Sequence, residues 1–137
     1  MVIAMAMEEG ITYAPMKEVR VGKYIMIDGI ACKVVDIDIS SPGKHGSAKM
    51  RVVAMGIFDG QKKTLLMPSH AEIEVPVISK KRAQVVSIEG NNAQLMDLET
   101  YDVYFLPIPE ELKGKLSSGN EVEVLEATGR RALSKAL

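Results

Sequence analysis

Short apolar runs separated by turn dipeptides repeat along most of the chain, with the spacing of β-strands. Tyr24-Ile25-Met26-Ile27 ends at Asp28-Gly29, a dipeptide that accepts the left-handed angles of a tight hairpin. Ile30 to Ile39 follows, rich in Val and Ile, and Met50 to Phe58 runs to a second such turn at Asp59-Gly60. Gln61 to Met67 is a further strand, closed by Pro68. So close a succession of strands and turns predicts a small barrel. A second series begins at Glu72-Ile73-Glu74-Val75, which alternates strictly, as a half-buried strand does. Pro76 has no amide to donate and marks a sheet edge or a strand start. Ala83 to Ile88, Gln94 to Leu98, Val103 to Leu106 and Glu121 to Glu126 extend the series. Pro109 to Gly114 predicts one helical turn, with proline and acids at its start and glycine at its end. Arg130 to Leu137 reads equally as short helix or strand end. The pattern thus predicts two β modules, 1–72 and 73–137, with Pro68 and Pro76 framing the boundary.

Composition narrows the picture. The chain has 137 residues, 47% apolar and 26% charged, the make-up of a globular protein. It has no Trp and only 4% aromatics, so its cores must rest on Val, Ile, Leu and nine Met. A net charge of −1 removes any global pull toward nucleic acid, so a functional charge has to be local. The single Cys32 excludes an internal disulfide and fits a reducing compartment. It sits in a Val-rich strand and reads as a small buried apolar residue. Cys32, His45 and His70 are too few and too scattered for a metal site. Residues 1–10 lack a basic start and a long apolar run, and nothing approaches the roughly 18–20 apolar residues of a membrane span. The expectation is a cytoplasmic protein with no membrane partner.

The local charge lies in Ser40-Ser41-Pro42-Gly43-Lys44-His45-Gly46-Ser47-Ala48-Lys49, between two strand signals. The stretch holds no large apolar side chain, so Lys44 is expected at the tip of an exposed loop. Gly43 and Gly46 bracket it, and Pro42 stiffens one side. Lys44, Lys49 and Arg51 stand in this region with no acid between Ser40 and Arg51. A solvated surface lysine is the common alternative. A phosphate-cradling loop fails on spacing, since Asp38 stands where its first glycine belongs and His45 where Ser or Thr is needed. A Schiff-base lysine needs a desolvated pocket, which a loop tip lacks. That leaves a cation presented to a polyanion or to a modifying enzyme. No carboxylate or nucleophile neighbours His45, so no catalytic residue is assigned. Lys44, His45, Lys49 and Arg51 are the candidate RNA contacts. Lys80-Lys81-Arg82 reads first as solvated charge and only second as a phosphate contact, and His70 as structural.

Pro42-Gly43-Lys44-His45-Gly46-Ser47-Ala48-Lys49 resembles the hypusine loop of the eukaryotic and archaeal translation factor five-A family. Val21 to Gly29, Phe58 to Lys63 and Val75-Pro76-Val77 resemble other stretches of that family, and the Pro-Gly before Lys44 is similar to its archaeal branch. Ala31 and Ser41 depart from the pattern without touching Lys44. The resemblance implies an all-β fold, an SH3-like barrel (1–72) carrying the loop and an OB-fold (73–137). It implies no bound cofactor, and a spermidine-derived aminobutyl group placed on Lys44 by deoxyhypusine synthase, which uses NAD. It leaves open whether hydroxylation to hypusine follows. Pro42, Gly43, His45 and Gly46 would form the loop that the modifying enzyme reads. The implied partners are the ribosome and peptidyl tRNA, with the modified lysine helping peptide bond formation at proline runs. A stand-alone RNA-binding OB module is the alternative reading, weakened by the scarcity of aromatics.

Overall fold

The computed structural model describes residues 10–41 and 48–137. Its contacts divide the chain into two compact units, Met1–Val77 and Ile78–Leu137.

The first unit contains β1 (Ile11–Pro15), a 3-10 turn at Met16–Glu18, β2 (Tyr24–Ile27), β3 (Ile30–Ser40), β4 (Lys49–Gly56), β5 (Lys62–Pro68) and β6 (Glu72–Pro76). Strands β2-β3-β4-β5 form an antiparallel sheet in sequence order, and β1 pairs with β6. The β2–β3 hairpin turns on Asp28 (φ 52) and Gly29 (φ 76), the paired left-handed angles that its sequence predicts. A bulge between Val34 and Asp36 bends β3. Inward-facing residues of β2 to β6 and Met16 of the 3-10 turn meet in one core, in which Met16, Ile25, Cys32, Val34, Met50 and Val52 are almost fully buried. Each such side chain contributes roughly 1.5–3 kcal/mol by leaving water.

The second unit contains β7 (Ser79–Glu89), β8 (Asn92–Asp97), β9 (Val103–Pro107), a 3-10 turn at Glu110–Leu112, β10 (Glu121–Ala127) and β11 (Arg130–Ala136). Its sheet order is β11-β10-β7-β8-β9, all antiparallel. The two end strands approach each other where the Arg131 guanidinium lies over the Tyr104 ring, 4.2 Å from its centroid. Ala83, Val85, Ala93, Leu95, Val122 and Val124 fill the core, and Ile108, Leu112 and Leu116 pack over it. Both cores rest on aliphatic residues, joined in the first by Met16, Met50 and Met67.

The division falls beyond the 72/73 boundary expected from sequence. Glu72–Pro76 is not the opening strand of the second unit; it closes the first by pairing with β1, Ile11 opposite Pro76 and Pro15 opposite Glu72. β1 itself was not expected. The undecided tail is β11, paired to β10 across a turn at Thr128 and Gly129.

Candidate functional site

The two flanks of the expected lysine loop are the long strands β3 and β4, whose last pair is Ser40 with Lys49. Lys44 and its neighbours Pro42, Gly43, His45 and Gly46 lie outside the described residues. The foot of the connection on the β4 side is braced. Ala48 O accepts the Ser69 amide (2.8 Å), Ser69 O accepts the Lys17 amide (2.9 Å), and Ala71 O accepts the Met16 amide (2.8 Å). Residues 68–71, beside the boundary that Pro68 and Pro76 frame, therefore tie the hairpin to the first 3-10 turn. His70 is exposed on this brace.

Alternation along β4 sends Met50, Val52 and Ala54 into the core and turns Lys49 and Arg51 to solvent. The two cations stand on one face, about 7 Å apart along the strand. Lys49 lies between Ser40 and Pro68 in the register, with no charge opposite it. Arg51 lies between Asp38 and Leu66. The acid-free surroundings seen in sequence thus hold for Lys49 but not for Arg51. Asp38 is a neighbour of the candidate site that the linear reading missed; counting hairpin pairs back from the loop would have found it.

Beyond β4, the turn at 56–61 is held by Asp59. Its Oδ1 accepts the Gln61 amide (3.0 Å), and its other oxygen pairs with Lys63 at 3.3 Å. The Gln61 amide first, and Lys63 second, hold the Asp59 carboxyl below the usual range against the opposing effect of burial. A Cβ at position 56 would lie 2.0 Å from Asp59 Oδ1, so any larger residue there would have to displace that carboxylate. Cys32, in register with Gly56, has its thiol pushed up by burial and donates to Ile30 O (3.3 Å). It is inert packing, not a nucleophile. In the second unit, Arg82 pairs with Glu121, and Lys81 lies 3.9 Å from Glu99. Among the described residues no group of three or more His, Cys, Asp or Glu could hold a metal ion, and no helix is long and apolar enough to cross a membrane.

The braced hairpin with Lys49 and Arg51 on its solvent face thus belongs to an all-β protein of two units. Comparison with known proteins places it further. Residues 12–71 match the family model "Translation initiation factor 5A-like, N-terminal", and residues 77–136 match "Eukaryotic elongation factor 5A hypusine, DNA-binding OB fold". The chain is 52% identical to translation initiation factor 5A of Methanothermobacter thermautotrophicus, over 88% of this chain and 92% of that protein. It is 48% identical to the Archaeoglobus fulgidus protein of the same name, over 88% and 94%. The solved structure of the Methanococcus jannaschii factor superposes with a TM-score of 0.83 at 44% identity, covering 94% of this chain and 96% of that one. The chain therefore belongs to the translation initiation factor 5A family, a family of translation factors and not of enzymes. Its fold is all-β, with an N-terminal domain followed by an OB fold.

Proposed function

We propose that this protein binds the ribosome and supports peptide bond formation through a modified Lys44 that positions peptidyl tRNA, above all at proline runs. The observation that carries this reading is the octapeptide Pro42 to Lys49, set between the long strands β3 and β4 in a chain of this family. The second family description names hypusine, and Lys44 is the lysine within the matching loop sequence. Deoxyhypusine synthase would transfer the aminobutyl group from spermidine, reading Pro42, Gly43, His45 and Gly46. The longer side chain carries a second basic nitrogen, and both nitrogens stay protonated at neutral pH. Lys49 and Arg51, on the outer face of β4, would meet RNA phosphates beside the loop, with His45 as a further contact. Help to catalysis would come from orienting the tRNA in the ribosome's own centre. The braced foot at Ala48 limits the entropy lost on docking.

Peptide mass spectrometry on protein from its native host tests the modification: Lys44 should carry the aminobutyl mass, and uniformly plain lysine would refute it. Lys44→Ala should then reduce synthesis of a proline-run peptide to the level seen without the factor.

A further inference from the structure

The outer face of β8 and β9 carries a second surface that the lysine loop does not explain. On β9, Tyr104 and Leu106 pack onto the core, while Val103, Phe105 and Pro107 face outward. Val103 and Phe105 are each 52% exposed. The register sets Met96 beside Val103 and Gln94 beside Phe105. Just before β9, Tyr101 is 68% exposed. Exposed apolar residues grouped this way mark contact surfaces.

Tyr101 is also held in place. Its φ of 63 is a left-handed angle that a bulky residue adopts only when its surroundings impose it. Asp97 imposes it. Its Oδ1 accepts the amides of Glu99 (2.7 Å) and Thr100 (2.9 Å), and its carbonyl accepts the Tyr101 amide (2.8 Å). The Asp97 amide in turn donates to Asp102 O (2.8 Å). A fixed turn presenting an aromatic ring loses little entropy when that ring is captured.

Charge identifies the class of partner. From Ala83 to Leu112 the sequence contains no Lys or Arg, while Glu89, Asp102 and Glu111 are exposed acids, and exposed Glu110 is paired with Lys113 at 2.9 Å. Lys81 approaches from β7 but is already drawn toward Glu99. A nucleic acid strand needs cations along its path as well as rings to stack on. This stretch offers rings and a net acidic margin, and the cations beside it, Lys81, Lys113 and Arg131, are each already paired with an acid. An aromatic centre with an acidic rim suits a protein surface that offers an apolar anchor flanked by Lys or Arg.

We propose that the β8–β9 face, centred on Phe105, Val103 and Tyr101, docks a basic protein segment of the ribosomal assembly and not RNA. The location of that partner rests on the ribosome reading above. The test places the photo-crosslinker p-benzoylphenylalanine at position 105 and, separately, at position 49, in the full chain mixed with ribosomes of its native host. Position 105 should give adducts that survive ribonuclease and are lost to protease, while position 49 should give adducts to RNA. RNA adducts at position 105, or none there while position 49 cross-links, would overturn the docking surface and leave ribosome binding intact. No adduct at either position would overturn both. Phe105→Ala should also weaken co-sedimentation with ribosomes about tenfold, as loss of a central aromatic anchor does. That loss should barely depend on salt; unchanged binding would count against the proposal.

Discussion

Both units open their principal sheet hairpin with an eleven-residue strand that bends at a bulge, β3 at Val34/Asp36 and β7 at Val85/Ser87. Both also fix a turn with one aspartate, Asp59 in the first and Asp97 in the second. They part in what they show to solvent. The first turns the cations Lys49 and Arg51 outward beside its expected lysine loop. The second turns Val103 and Phe105 outward from strands that hold no cation at all. The same strand chemistry underlies both cores. The outward half of each alternation is free of packing duty, and there the two surfaces diverge.

The largest expected effect breaks one unit while sparing the other. The two cores share no residue. Leu95 is fully buried in the second, so Leu95→Ala should cost roughly 2–5 kcal/mol through lost transfer and a cavity. Hydrogen exchange should show protection lost across β7–β11 and kept in β2–β5. Equal loss in both would refute independent cores.

The aspartates sharpen the comparison next. Asp97 is buried and accepts two backbone amides through one oxygen, whereas Asp59 is partly exposed and accepts one. Asp97→Ala leaves those amides without their charged acceptor and should cost about 2 kcal/mol, and Asp59→Ala less. The amides of Thr100 and Glu99 hold the Asp97 carboxyl below its ordinary range. Its folded pKa is lower than its unfolded value of about 3.9, so its contribution is complete above that value. It is lost as pH falls through the folded pKa. Urea titrations from pH 7 to pH 3 should show the second unit losing stability at the acid end, and Asp97→Ala flattening that loss.

Local pattern made most of this legible, and partners distant in sequence account for what it missed. Strands such as Tyr24 to Ile27 announce themselves, because their apolar residues and the Asp28-Gly29 turn are neighbours in the chain. β1 is short and ends at Pro15, and it exists only because β6 pairs with it from far along the sequence. That same pairing draws Glu72–Pro76 into the first unit and moves the boundary. β11 was hidden for another reason. Its Ala and Lys are poor strand formers, and its hairpin turns at Thr128, a β-branched residue at φ 51. At the site, alternation locates Lys49 and Arg51. Asp38 becomes visible only once the register is known.

Removing the cations of β4 is the next, smaller effect. Lys49→Ala with Arg51→Ala should weaken binding to tRNA-loaded ribosomes and reduce the salt dependence. If each cation meets one phosphate, the slope of log K against log salt should fall by roughly 1.4–1.8 for the pair. Arg51→Ala alone should matter less than Lys49→Ala, because Asp38 lies opposite Arg51. Equal effects of the two would mean that Asp38 does not temper its neighbour.

The smallest effect concerns how the second unit closes. Arg131 lies over the Tyr104 ring and also donates to Glu126 at 3.0 Å, so one cation joins the two end strands of the sheet. The contact is partly exposed, so solvent weakens it, and Arg131→Ala should cost about 0.5–1 kcal/mol by urea unfolding. Arg131→Lys should recover only part of that, since an ammonium cannot lie flat on the ring. Closure is then chiefly the work of Leu133, Val122 and Val124 beneath, with the cation fixing the seam. A cost near that of Leu95→Ala would reverse this order and make the seam, not the core, what holds the second unit shut.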